Sequence, residues 1–337
     1  MDPVRYAVVG YGLAGSAFHA PIIAATPGAE LAAVVARADD AQAAVEQRYP
    51  GTAVVADVAE LSAADIDVAV VATPNATHAP LAEQLMTAGM SVVVDKPLAT
   101  DTLTGMQLVE LAQTAGVSLT CYQNRRWDGD FLTVRRLMTE GRLGRVHRFE
   151  SRFERWRPQV ADGWKEQAGP GSGVLFDLGP HVIDQAITLL GPVAEVSGWV
   201  REVRPDAKVA DDAFVELQHD SGAVSHLSVS LVAAAPGPRF RILGTQAAFL
   251  KDGLDPQETA LRAGEVPGSP GWGREPESDW GVLMSGDVAE VIETDAGDYP
   301  EFYRLMTAHM RGEGPVPVDP LDSLDALAIV EAITNAQ

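Results

Sequence analysis

The sequence predicts an α/β protein of two domains. The first is a doubly wound parallel sheet, and the second is an α+β domain with a large, open, mainly antiparallel sheet. Three observations carry this. The first third of the chain alternates short β-branched runs with Ala-rich helical stretches, an order that closes into a parallel sheet. The hexapeptide Gly10-Tyr11-Gly12-Leu13-Ala14-Gly15 stands between a strand-like and a helix-like run. After about Cys121 the chain turns to longer strand-like segments joined by turns. The division falls between residues 1–122 and 123–337.

The elements follow in order. Tyr6–Val9 reads as a strand, followed by a glycine turn and a helix from about Ser16 to Ala25. Leu31–Val35 is a strand, Ala41–Tyr49 a helix and Thr52–Val55 a short strand. Val68–Ala72 is a solid apolar run, as suits a strand buried on both faces. Thr77–Ala88 is helical, Ser91–Asp95 a strand, Leu103–Ala115 a helix stopped by Gly116, and Val117–Tyr122 a strand. In the second domain a helix spans Phe131–Thr139. Strands are expected at Val146–Trp156, Val193–Val203, Ala213–Gln218, Ala223–Leu231, Arg239–Leu243 and Ala247–Lys251. One helix, His181–Leu190, interrupts them. Gly264–Asp279 reads as a surface loop, and helices at Tyr299–Met310 and Asp322–Ala332 close the chain.

Composition excludes several classes. The 337 residues carry 25 Lys+Arg against 47 Asp+Glu, a net charge of −22. Phosphate backbones and anionic lipid repel such a chain, so no nucleic-acid or membrane partner is expected. No apolar run approaches the roughly 20 residues of a membrane span. Met1–Gly10 shows no secretion signal, and the single Cys121 excludes an intrachain disulfide, so the expected location is the cytoplasm. No metal is expected.

The glycine motif carries the first chemistry. Gly10 permits a tight turn, Gly12 lets the backbone approach a pyrophosphate, and Gly15 lets helix and strand pack closely. Tyr11, Leu13 and Ala14 complete the loop. The following helix offers free N–H groups to phosphates. The bland alternative is a glycine turn without a ligand. At the end of the second strand an NAD enzyme usually places a carboxylate for the ribose. This chain has Ala36 and then Arg37. An arginine attracts a 2′-phosphate, so NADP is the preferred cofactor; if Arg37 instead stacks on adenine, NAD is possible. Asp39 and Asp40 lie just beyond. Thr73, Pro74 and Asn75 follow the fourth strand at a ligand-binding edge, and Asn75 and His78 are candidates to contact ribose or nicotinamide. An ordinary turn capped by Thr77 explains them equally well.

Asp95-Lys96-Pro97 follows the fifth strand. A partly desolvated lysine there can hydrogen-bond a substrate hydroxyl or polarise a carbonyl. A strand-end surface lysine is the alternative. Asp177 and His181 are four residues apart and share a helix face, where a carboxylate can orient an imidazole that takes a hydroxyl proton. The alternative is Asp177 as a helix cap and His181 as a satisfied core residue. Asp184 falls near the same face. Residues 125–157 hold ten arginines against five acids. Most read as solvated edges and ion pairs, with Arg125, Arg126 and Arg157 as candidate polyol or phosphate contacts. Trp127, Trp156 and Trp164 can stack beneath sugar C–H faces.

Taken together, Gly10–Gly15, Thr73-Pro74-Asn75, Asp95-Lys96-Pro97, Asn124-Arg125-Arg126-Trp127-Asp128 and Asp177–His181 resemble the glucose–fructose oxidoreductase / inositol dehydrogenase (Gfo/Idh/MocA) family along essentially the whole chain. The stretches Asn124–Phe131, Arg157–Val160, Trp164–Glu166, Leu175–Gln185 and Gly253–Glu258 are similar to its NADP-dependent scyllo-inositol dehydrogenases. The resemblance implies a Rossmann domain, an open-sheet domain and hydride exchange with a secondary hydroxyl of a cyclic polyol or sugar. It implies catalytic roles for Lys96, Asp177 and His181, with Asp95 beside the cofactor. It also implies a polyol site near Asn124, Arg125, Trp127, Arg157 and Trp164, and a homodimer or homotetramer. Two positions depart from the pattern: Asp95 replaces the commoner Glu, and Arg37 stands where that subgroup tends to have Ser. Other readings are a non-catalytic NADP- or sugar-binding regulator, an aldose 1-dehydrogenase, or a glycosidase with a transient redox step.

Overall fold

The computed structural model describes residues 2–63 and 65–336, with every side chain in them except that of Trp164. Two compact units emerge. The first holds residues 1–124, 257–272 and 298–324, and the second holds 125–256, 273–297 and 325–337.

In the first unit six parallel strands lie in the order β3-β2-β1-β4-β5-β6. They are β1 (Val4–Val9), β2 (Ala29–Val35), β3 (Ala53–Val55), β4 (Val68–Val71), β5 (Ser91–Asp95) and β6 (Leu119–Tyr122). Every residue of β4 is fully buried, which is why its sequence does not alternate. The helices are α1 (Ala20–Ala25), α2 (Asp39–Arg48), α3 (His78–Thr87) and α4 (Thr102–Ala115). α4 shows why they start and stop where they do. The Asp101 carboxylate caps its start by accepting the Thr104 N–H at 2.8 Å. Gly116, at φ +68°, ends it, and Val117 N–H turns back to Ala112 O at 3.1 Å. Val117 is thereby drawn into the cap, so β6 begins at Leu119.

The helix after the glycine loop differs from expectation. Ala14–His19 forms a π-helical turn that runs into α1. The later α7 (Gln257–Arg262) and α8 (Pro300–Met310) also belong to this unit, and α7 was not anticipated from sequence. α8 packs on α1, and its Tyr303 is fully buried with Tyr6, edge to face at 5.6 Å.

The second unit begins with α5 (Gly129–Thr139) and β7 (Val146–Glu154), then α6 (Val174–Leu190). Seven more strands complete its sheet: β8 (Val193–Arg201), β9 (Asp212–His219), β10 (Val224–Ser230), β11 (Phe240–Gly244), β12 (Ala248–Lys251), β13 (Gly281–Ser285) and β14 (Val288–Ile292). Their order is β14-β13-β12-β11-β7-β10-β9-β8, antiparallel except for the β7–β10 pair. α9 (Pro320–Asn335) closes the chain. α6 covers one face of the sheet, over β7, β9 and β10. On the other face Glu216, His226, Glu150 and Arg241 stand side by side on adjacent strands. His226 Nε2 lies 3.2 Å from Glu216, and Arg241 donates to Glu150 at 2.5 Å.

Two expectations need correction here. α6 begins at Val174 rather than His181, with Pro180 inside it. Pro180 gives up the hydrogen bond that an N–H there would make to Phe176 O, and the preceding Gly179 has no Cβ to clash with the ring. Strands β13 and β14 lie in a stretch read without regular structure.

Candidate active site

The glycine loop has the geometry its spacing implies. Gly10 has φ +97°, and a Cβ there would sit 2.7 Å from Ala72 O. A Cβ on Gly15 would lie 2.0 Å from Gly10 O, so only glycine lets this helix meet the strand. A Cβ on Gly12 would meet nothing within 4 Å. The first and third glycines are therefore held by packing, while the second faces open space that a pyrophosphate can enter. β1 lies between β2 and β4, the point where the strand order reverses, and in open α/β sheets ligands bind at the carboxyl edge of such a point. Residues 10–15 and Thr73 sit at that edge: Thr73 Cγ2 is 2.9 Å from the Cβ position of Gly10. The loop fits a dinucleotide.

Arg37 is exposed just past the end of β2. Arg48 was not singled out from sequence. It reaches within 3.4 Å of Ser16 O and its charge offsets the burial that pushes the Tyr11 hydroxyl up. A basic residue at the end of the helix after the second strand is a signal that periodicity alone does not reveal.

At the ends of β4 and β5 the structure rearranges one expectation. Thr77 Oγ1 bonds Thr73 Oγ1 at 2.7 Å, tightening the turn over Pro74 and Asn75. His78 was a candidate to contact ribose or nicotinamide, with an ordinary turn as the alternative. Instead it is only 1% exposed, and its two ring nitrogens each lie 2.8 Å from a backbone carbonyl, of Pro97 and of Thr73. Both polar atoms are used inside the protein, so His78 is a brace between loops.

Asp95 accepts the Lys96 N–H at 2.9 Å, and the Lys96–Pro97 peptide is cis. The second Asp95 oxygen faces His19 Nε2 at 4.0 Å. His19 comes from the π-helical turn, is fully buried, and places Nδ1 2.6 Å from the Tyr303 hydroxyl. Burial drives the Asp95 carboxyl up, but His19 and then Lys96 and His78 more than offset this, holding it below the ordinary carboxylate range. Burial likewise keeps the Tyr303 hydroxyl protonated. Lys96 is half-buried at this edge, in the same sheet as the glycine loop. His19 is a residue that sequence reading missed; only the helix register after the glycines could have pointed to it.

In the second unit Asp177 lies in the first turn of α6 and His181 one turn on. Asp177 Oδ1 accepts from Lys165 Nζ at 2.6 Å. His181 is 7% exposed, with its ring 6.4 Å from that of Phe153. A cavity of about 50 Å³ brings Asp177, Lys165, Glu166 and Arg157 together against Val174 and Val209. The loop that carries Lys165 is anchored by the buried Arg204, which donates to Glu166 at 2.7 Å and to Asp211 at 2.8 Å. Neither Lys165 nor Arg204 was among the sequence candidates.

The other candidates are placed as follows. Arg125 is buried, pairs with Asp128 at 3.2 Å and covers the Phe153 ring at 4.7 Å. Asn124 and Trp127 are buried, and Arg157 is exposed. Asp184 forms a two-pronged pair with Arg126, at 2.6 and 2.9 Å. Trp164 lies outside the described side chains.

Comparison with known proteins agrees with this architecture. Residues 4–123 match the family described as "Oxidoreductase family, NAD-binding Rossmann fold". Residues 135–337 match "Oxidoreductase family, C-terminal alpha/beta domain". The uncharacterized oxidoreductase YdgJ of Escherichia coli is 39% identical, over 98% of this chain and 95% of its own. The scyllo-inositol 2-dehydrogenase (NADP(+)) IolW of Bacillus subtilis is 32% identical, over 98% of this chain and 93% of its own. Among solved structures, yvaA of Bacillus subtilis superposes with a TM-score of 0.94 at 31% identity, covering 99% of this chain and 96% of that one. YPO2259 of Yersinia pestis gives 0.92 at 36%, covering 99% and 95%. With both halves matched and a dinucleotide loop of fitting geometry, the chain belongs to the Gfo/Idh/MocA family of oxidoreductases, whose N-terminal domain is an NAD-binding Rossmann fold.

Proposed function

We propose that this protein is an NADP-dependent dehydrogenase that exchanges a hydride with a secondary hydroxyl of a cyclic polyol or sugar of the scyllo-inositol kind. The observation that carries the reading is Lys96 at the carboxyl edge of the sheet whose Gly10–Gly15 loop fits a dinucleotide. The relative IolW, a scyllo-inositol 2-dehydrogenase (NADP(+)), supports the polyol and NADP. Arg37 supports NADP independently, because β2 ends without a carboxylate and with an exposed guanidinium.

A bound nicotinamide supplies the hydride acceptor for oxidation, or the donor for reduction. His181 takes the hydroxyl proton as the carbon loses its hydride, and returns it in the reverse direction. Lys96 stabilises the alkoxide that develops on the oxygen. Asp177 orients the hydroxyl or the imidazole, and Lys165 sets the charge beside it. Arg157, at the same cavity, is a polyol contact in this reading. Cys121, buried and the one cysteine of the sequence, suits a reducing cytoplasm, and the reading includes a homodimer or homotetramer there.

The test is an initial-rate panel of scyllo-inositol, other inositols and aldoses, each with NADP and with NAD. The reading expects turnover of an inositol and a preference for NADP that Arg37→Ser weakens. Turnover of aldoses alone would reassign the substrate. NADP binding without turnover of any polyol or aldose would favour a regulator.

A further inference from the structure

His78 presents a hydrogen-bonding problem that only one protonation state solves. Its Nδ1 lies 2.8 Å from Pro97 O and its Nε2 2.8 Å from Thr73 O. Carbonyl oxygens only accept. A neutral imidazole donates from one nitrogen and presents a lone pair at the other, so one of the two contacts would set lone pair against lone pair. In a side chain only 1% exposed, water cannot relieve that. Both contacts are satisfied together only by the imidazolium, and both bonds are then charge-assisted.

The charges around it fit. Asp95, two residues before Pro97, supplies a negative partner, and its carboxyl is held in the ionised form by His19, Lys96 and His78 against the cost of burial. The acceptors belong to the two loops that matter here. Thr73 follows β4 beside the glycine loop, and Pro97 directly follows Lys96.

We propose that His78 is a buried imidazolium clasp that ties the Thr73–Asn75 loop to the Asp95–Pro97 loop and so positions Lys96. His78 is a positioning residue, acting through the backbone on each side. Its catalytic consequence rests on the reading of Lys96 given above; its protonation state does not.

Two readouts separate those parts. The first is nitrogen-15 NMR of the full-length protein, labelled at histidine, at neutral pH. Thr77–His78 is the one Thr-His dipeptide in the sequence, which anchors the assignment without a variant. The proposal expects protons on both ring nitrogens of His78. A neutral tautomer overturns it, whatever the enzyme does. The second is His78→Gln, whose amide donates from a single nitrogen and does not span the two carbonyls as the two ring nitrogens do. With the fold and NADP binding retained, kcat should fall on the order of 10²-fold, as a displaced catalytic group predicts, while the polyol KM changes little. An unchanged kcat in the folded variant overturns the positioning role. If His78→Gln does not fold, the wild-type spectrum still decides. If the wild type turns over no polyol, the functional reading fails while the imidazolium remains tested by NMR.

Discussion

Lys165 Nζ stands 2.6 Å from Asp177 Oδ1, and the Arg204–Glu166 pair anchors the lysine's loop beside it. Both partners are partly exposed, so the pair contributes little to stability, about 0–1 kcal/mol. Its consequence is local: the ammonium fixes the Asp177 carboxylate and adds positive charge to the cavity that Arg157 also lines. Lys165→Met should therefore lower kcat/KM for the polyol by about tenfold, the equivalent of roughly 1.4 kcal/mol. NADP affinity and melting temperature should stay near wild type. An unchanged kcat/KM would remove Lys165 from the substrate site.

Two glycines of the cofactor loop, Gly15 and Gly12, should fail in different ways. Gly15→Ala puts a Cβ 2.0 Å from Gly10 O, a backbone atom that cannot give way cheaply. It should destabilise the protein by more than about 2 kcal/mol and abolish cofactor binding. Gly12→Ala meets nothing within 4 Å in the protein. It should fold with near-normal stability and lose affinity for NADP, because its methyl occupies the space in front of the loop. Thermal melts and cofactor titration of both variants check this. Equal stability losses would contradict the assignment of the open space to a ligand.

Asp184 was a weak catalytic candidate from its spacing, and its two bonds to Arg126 give it a structural role. Asp184 is 3% exposed and Arg126 15%. Removing the guanidinium alone leaves a buried carboxylate without that counter-charge. Arg126→Met should cost about 3–5 kcal/mol, and adding Asp184→Leu should recover much of it. Denaturant melts of the single and double variants measure the coupling. Additive losses would contradict a tight pair.

Acid sensitivity should trace to Asp95. Its folded carboxyl titrates below the unfolded value of about 3.9. A group shifted in this direction adds stability that is complete above the unfolded value and is lost as pH falls through the folded one. Wild type should therefore lose stability below about pH 4 through this residue. Asp95→Asn should be less stable at neutral pH and show a shallower acid limb. Parallel limbs for the two proteins would contradict the shift.

The parallel sheet was legible because its strands carry their own signal. β5 was placed at Ser91–Asp95 from its β-branched run alone, and the buried run of β4 from its lack of alternation. The glycine loop was legible because each glycine answers a separate steric demand. α6 was read seven residues too short because Gly179-Pro180 normally marks a helix boundary, and nothing local shows that Gly179 packs against Leu175. β14 was missed because four of its five residues are exposed on an edge strand, where no buried face imposes a period. His78 stood as a cofactor candidate beside an ordinary turn because spacing locates a side chain along the chain but does not show which carbonyls close around it. His19, Lys165 and Arg204 depend on partners distant in sequence, and a single chain read in order gives no pairing between them.

The account stands most directly on Lys96. The decisive measurement is reduced-nicotinamide formation from scyllo-inositol and NADP by wild type and by Lys96→Met, with NADP affinity determined in parallel on the same preparations. The account predicts turnover by wild type and a fall in kcat of at least about 10²-fold in the variant, with NADP affinity largely retained. Wild-type turnover that survives in Lys96→Met at a similar kcat would contradict it.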